Sequence, residues 1–198
     1  MKALKIGNLL ATVPIVQGGM GVGISLSGLA SAVANQGGVG VISSAGLGAI
    51  YNNYSKDYRA ASIWGLKEEL RKAREATRGI VGVNVMVAMS NFADMVKTAV
   101  AEKADIIFSG AGLPLNLPSF LTAGGHLGYK EEQLADEHFS LEALVPEIVA
   151  EVRAFGAEHD CHIPVIAGGG IYTGEDTYRI MQPGADGVQM GTRFVTTE

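Results

Sequence analysis

The chain has 198 residues, 47% of them apolar and 18% charged, which is the composition of a folded domain with a substantial core rather than of a disordered segment. Its formal net charge is −5 and it carries no dense Lys/Arg run, so the electrostatics exclude nucleic acid and anionic membrane as expected partners. The single cysteine, Cys161, rules out an internal disulfide and fits a reducing cytoplasm.

Met1–Lys5 lacks the apolar core of a signal peptide. No charged side chain lies between Lys5 and Lys56, but glycines interrupt that stretch throughout. Its apolar runs fall short of the roughly 18 residues a membrane span needs. Buried parallel strands joined by glycine loops account for it.

In chain order, Val13–Val16 reads as a strand, followed by a loop with glycines at 18, 19, 21 and 23. Ser25–Gln36 reads as a helix with Ser25 as N-cap, closed by Gly37-Gly38. Val39–Ser43 is the next strand. A polar stretch with Tyr51, Tyr54 and Tyr58 leads to a charged helix over Leu66–Thr77, with Glu68 and Lys72 at i,i+4 spacing. Those tyrosines are equally consistent with a lid over substrate and with ordinary packing. Ile80–Val87 (strand), Asn91–Lys103 (helix) and Asp105–Ser109 (strand) follow.

The rhythm fails over Leu115–Glu137, a turn-rich region centred on Gly124-Gly125-His126-Leu127-Gly128. It resumes with Leu141–Phe155 (helix), Pro164–Ala167 (strand), Glu175–Gln182 (helix) and Gly187–Met190 (strand). Strands apolar throughout and separated by helices predict a parallel α/β sheet covered on both faces. Glycines cluster just after the strands, at the edge where such folds carry ligands. The six strand candidates fall about two short of an eight-stranded barrel, within a single domain over residues 1–198.

The strongest chemical signal is at the end. Two successive strands run into Gly168-Gly169-Gly170 and Gly191-Thr192, where bare backbone N–H groups and a following helix N-terminus suit a phosphate. His159-Asp160-Cys161-His162 superficially resembles a metal cluster. It precedes a strand, at the end away from the ligand loops, and its consecutive spacing suits chelation poorly, so a surface turn is expected and no metal site. Arg193 fits either a phosphate contact or a structural ion pair.

Six segments in one order carry a specific likeness: Pro14-Ile-Val-Gln-Gly-Gly-Met20, Gly82-Val-Asn-Val-Met86, Gly110-Ala-Gly-Leu-Pro114, Ala123-Gly-Gly-His-Leu-Gly128, Ile166-Ala-Gly-Gly-Gly-Ile171 and Gln189-Met-Gly-Thr-Arg-Phe194. The set resembles the nitronate monooxygenase family, and the enoyl-acyl-carrier-protein reductase II enzymes share most of it. The resemblance implies a TIM-barrel flavoenzyme with FMN, acting on a small substrate and O₂. It implies that Gly18, Gly19 and Met20 lie against the flavin with Gln17 nearby, and that Asn84 directs its amide toward the ring edge. It further implies that Gly169, Gly170, Gly191 and Thr192 hold the phosphate, that Gln189 faces the cofactor, and that His126 is the catalytic base. An unperturbed histidine titrates near neutrality, as removal of a proton α to a nitro group requires.

Against the family pattern, Leu121-Thr-Ala-Gly-Gly-His126 follows the Gly110–Pro114 segment almost directly, where two strands and a helix are expected between them. The chain also stops at Glu198, before an expected closing helix. Open sheet edges would then invite pairing into a homo-oligomer. Three functions therefore stand: nitronate oxidation, NAD(P)H-dependent enoyl-acyl-carrier-protein reduction, or an inactive fold fragment.

Overall fold

The computed structural model describes residues 2–110 and 140–196. They form two compact units, one of residues 2–16 with 140–196 and one of residues 17–110.

In the second unit, strands β4 (Val39–Ser43), β5 (Ile80–Met86) and β6 (Ile106–Gly110) pair in parallel, with Ser43 opposite Asn84 and Asn84 opposite Phe108. Helices α1 (Ser27–Asn35), α2 (Leu47–Ile50), α3 (Tyr58–Ala76) and α4 (Phe92–Ala101) alternate with them. Side chains alternate across a strand, and β5 uses this cleanly. Val81, Val83 and Val85 turn into one apolar cluster with Leu66 and Leu70 of α3 and Met95 and Ala99 of α4. Gly82, Asn84 and Met86 occupy the opposite face. Truncating a buried leucine such as Leu70 to alanine costs about 2–5 kcal/mol in such a core.

Two glycines set how closely α1 approaches. A methyl group on Gly40 of β4 would lie 1.9 Å from the Ala30 carbonyl oxygen of α1, and one on Gly79 would lie 2.5 Å from that of Ala34. The helix rests directly on backbone there.

In the first unit, β1 (Leu4–Ile6) and β2 (Leu9–Ala11) form an antiparallel hairpin. β3 (Ile15–Gln17), whose last residue belongs to the second unit, neighbours β8 (Gly187–Met190), and β8 pairs in parallel with β7 (Ile166–Gly168). Helices α5 (Leu141–Glu158), α6 (Gly174–Met181) and α7 (Thr192–Val195) complete this unit. Its core gathers Val145, Ala167, Ile171, Ile180, Val188 and Met190.

The six expected strands of the parallel α/β pattern are present among the described residues. The hairpin β1–β2 was not expected, although Gly7-Asn8 between short apolar runs is a two-residue turn signal. Gly7 takes a positive φ of 58° in that turn. The charged helix begins eight residues earlier than its periodicity suggests, because Asp57 caps it by accepting the N–H groups of Arg59 and Ala60. Lys72 pairs with Glu69 at 3.2 Å, while Glu68 faces Arg71. Gly110–Pro114 beyond its first residue, and the whole segment around His126, lie outside the described residues.

Candidate functional site

The loop leaving β3 carries Gly18, Gly19 and Met20, and a serine hydroxyl ties it together. Ser25 Oγ donates to the Gly18 carbonyl at 3.1 Å and accepts the Met20 N–H at 3.0 Å. The Ser25 N–H also donates to the Met20 carbonyl at 3.0 Å. Ser25 is therefore the knot of this loop and not the cap of α1, whose N-cap is Leu26 without a side-chain hydrogen bond.

Gln17 is fully buried, and its amide behaves as an extra length of backbone. Its Nε2 donates to Ser25 Oγ at 2.9 Å and to the Val41 carbonyl at 3.0 Å, while Oε1 accepts the Val41 N–H at 3.2 Å. Both amide hydrogens are thus committed within the protein.

Asn84 sits one strand further, on the β5 face opposite the helices. It is half-buried, and its side-chain amide makes no hydrogen bond with a described residue. Gly19 lies against it: a methyl group on Gly19 would stand 2.3 Å from Asn84 Cβ and 2.8 Å from Cγ. The loop after β4 closes the same end, with the Ser44 N–H on the Asn84 carbonyl and the Val22 N–H on the Ala45 carbonyl, both at 3.0 Å. Gln17, Gly18, Gly19, Met20 and Asn84 are thereby brought together by direct contact or through Ser25.

The first unit holds the other cluster. Gly169 and Gly170 leave β7 with φ of 128° and 62°, and among the described residues no atom beyond their chain neighbours lies within 4 Å of where a methyl group on either would be. Both are exposed. Beside them, Gln189 of β8 pairs with Gly168, and its Oε1 would lie 3.4 Å from a methyl group on Gly168. Gly191 is the N-cap of α7 and Thr192 its first residue. The N–H groups of Gly170, Gly191 and Thr192 donate to no described residue. Open space above bare, undonated N–H groups is what an anion site requires.

The helix N-terminus after β7 plays a different part from the one the sequence suggests. α6 opens with a capping box in which Thr173 Oγ1 accepts the Asp176 N–H at 3.0 Å, and Asp176 Oδ2 accepts the Thr173 N–H at 2.9 Å and the Tyr172 N–H at 3.1 Å. The backbone N–H of Thr173, its hydroxyl and the N–H of Tyr172, with Arg179 adding to them, hold the Asp176 carboxyl at about 2. The end of α6 is therefore self-capped. It fixes the Tyr172-Thr173 backbone, and the donors left for an anion are those of Gly170, Gly191 and Thr192. Arg193 packs its guanidinium over the Tyr172 ring, 5.0 Å from the centroid. Tyr172 in turn bonds Thr196, and this bond and Arg193 lower its hydroxyl's pKa.

Two of the three tyrosines pack on Trp64. Tyr54 stacks on Trp64 with centroids 4.5 Å apart, and Tyr51 meets the same ring edge-on and bonds Glu69. Cys161 and His162 are exposed, and His162 faces Arg153, which binds Asp186 through both carboxylate oxygens at 3.1 Å. Among the described residues no group of His, Cys, Asp or Glu could hold a metal ion. No described helix is long and apolar enough to cross a membrane.

The sequence model of the nitronate monooxygenase family matches residues 2–112 and 121–198. Two curated proteins, each called a probable nitronate monooxygenase, from Staphylococcus saprophyticus and Staphylococcus haemolyticus, are 32% identical over 106 residues. Those residues are 52% of this chain and 27% of either relative, so the match spans about a quarter of their length. Among solved structures, FabK from Thermotoga maritima superposes with a TM-score of 0.68 at 26% identity, covering 92% of this chain and 59% of its own. A nitroalkane oxidase from Streptomyces ansochromogenes gives a TM-score of 0.65 at 19% identity over 94% of this chain and 67% of its own, a likeness of fold. The fold class is the TIM-barrel-like parallel α/β class.

Proposed function

The chain belongs to the nitronate monooxygenase family, and we propose that it binds FMN and oxidises alkyl nitronates or nitroalkanes with O₂. The observation that carries this reading is the pair of adjacent strand ends, β7 and β8, each opening into glycine backbone whose N–H groups donate to no described residue, with unfilled space among the described residues at Gly169 and Gly170.

The residues present fit a flavin mononucleotide. Gly169, Gly170, Gly191 and Thr192 would hold its phosphate through backbone donors. Gly18, Gly19 and Met20 would offer the ring a surface without protruding side chains near Gly19. Asn84, with an amide uncommitted among the described residues, would donate to a ring edge, and Gln189 would face the cofactor from β8. Gln17 supports this surface from behind, since its amide is spent on Ser25 and Val41. When bound, the flavin supplies the electron transfer and the reaction with O₂, and the protein supplies position and electrostatics. His126 would take the proton α to the nitro group of a neutral nitroalkane.

The free, exposed Cys161 is compatible with a reducing cytoplasm. Self-association through strand edges is supported by β6 and β7, each of which has a pairing neighbour on one side only among the described residues.

Anaerobic reduction tests the chemistry. Nitronate should bleach the bound flavin, and NAD(P)H should not. Bleaching by NAD(P)H without any by nitronate would replace this reading with the enoyl-thioester reductase.

A further inference from the structure

Glu69 is an anomaly. It occupies α3 in line with Leu66, Leu70 and Ala73, on the stripe that packs into the core, and it is 2% exposed. Buried carboxylates persist only where partners compensate them. Here the partners come from three places. Oε2 accepts the N–H of Ser27, the first residue of α1, at 2.7 Å. Oε1 accepts the Tyr51 hydroxyl, and Lys72 Nζ lies 3.2 Å from both Oε1 and the Tyr51 oxygen. Burial alone would raise the carboxyl's pKa. The hydrogen bonds from Ser27, Tyr51 and Lys72 outweigh it and keep the pKa below the ordinary range, so the group is an anion.

The position of that anion is informative. α1 has no side-chain cap and no acidic residue in its first turn, so its N-terminal N–H groups and positive dipole end lack local compensation. Glu69 supplies it from another helix. Tyr51 is fixed in turn: a methyl group on Gly65 of α3 would lie 2.4 Å from the Tyr51 ring, so the ring packs closely on the helix where no side chain intervenes. Two residues before Ser27 stands Ser25, whose hydroxyl holds Gly18 and Met20 and whose carbonyl accepts the Ser43 N–H at 2.9 Å.

We infer that Glu69 is a positioning residue for the Gly18–Met20 backbone, acting through the start of α1 and Ser25. Its use to the enzyme rests on the reading of that backbone as a flavin surface. Glu69 touches none of the proposed cofactor contacts, and its effect travels by its hydrogen bond to Ser27, the backbone through Leu26 and the hydrogen bonds of Ser25.

The test uses Glu69→Ala and Glu69→Gln in the full chain, the second keeping an oxygen acceptor for the Ser27 N–H. Amide hydrogen exchange without ligand should quicken about tenfold at Met20, Ser25 and Ser27 in Glu69→Ala, without a like increase across β5 and β6. FMN should bind about tenfold more weakly with a displaced visible band, while inorganic phosphate, held by the other unit, binds as to the native chain. Glu69→Gln should restore most of both effects. Unchanged Met20 exchange in a folded Glu69→Ala protein would overturn the inference, as would equal losses of FMN and phosphate affinity. If the native chain takes up no FMN, the proposed function fails by that result, and the exchange measurement still decides the role of Glu69.

Discussion

Gly19 and Asn84 stand against one another with no room for a side chain between them: a methyl group on Gly19 would be 2.3 Å from Asn84 Cβ, well inside van der Waals contact. The β3 loop and strand β5 thus meet backbone to side chain at the point where both present candidate cofactor contacts. Gly19→Ala should cost about 1–3 kcal/mol as overpacking and displace the Asn84 amide. Urea unfolding and FMN titration check this together. Adding Asn84→Gly should recover stability without recovering FMN affinity. A Gly19→Ala protein of native stability and affinity would show that the two do not press on each other.

Gly169 and Gly170 make the opposite case, since no described residue fills the space around them and it is the backbone that objects to a side chain. At φ of 62°, Gly170→Ala should lose about 1–2 kcal/mol. Gly169→Ala should lose more, because φ of 128° is outside the regions open to L-residues. Their larger effect should be on ligand: FMN and inorganic phosphate should both weaken by about tenfold or more. Calorimetric titration of each variant measures it, and phosphate binding equal to native would remove the anion site from these loops.

Much of this arrangement is visible in the sequence. Val81, Val83 and Val85 announce a buried strand, and the glycines mark two kinds of backbone demand: Gly19 a close approach to Asn84, Gly169 and Gly170 a positive φ. What stays hidden are contacts between distant residues. Ser25 has the spelling of an N-cap, yet its hydroxyl is drawn to Gly18 and Met20, which only the folded loop brings near. Gln17 suggests a ligand contact, but burial turns its amide toward Val41. Glu69 left a trace that periodicity alone exposes, a charge where the stripe of Leu66, Leu70 and Ala73 calls for an apolar residue; its partners at Ser27 and Tyr51 are not predictable from it. The hairpin β1–β2 is too short for strand periodicity and is signalled only by its turn.

Asp176 gives a pH dependence. Its carboxyl is held at about 2 against an ordinary value of 3.8, chiefly by the backbone N–H and then the hydroxyl of Thr173. The folded value is the lower one, so its contribution is complete above about pH 4 and is lost as pH falls through about 2. Asp176→Asn should be less stable than native at pH 6, with the difference shrinking toward pH 2. Urea midpoints across that range provide the check, and a difference that stays constant with pH would contradict it.

If His126 is the base, as proposed, His126→Ala should abolish turnover of neutral nitroalkanes. Preformed nitronates, which have already lost the proton, should still react, and FMN should remain bound. Steady-state oxygen uptake with the two substrate forms separates these outcomes. Equal turnover of a neutral nitroalkane by the variant would dismiss the assignment.

The proposed flavin mononucleotide site at the strand ends is open to direct observation. Adding FMN to the purified, folded chain and recording the visible spectrum after removing free ligand tests it most directly. The chain should retain a two-band flavin spectrum at about one FMN per chain. A folded protein that retains no flavin colour would contradict it.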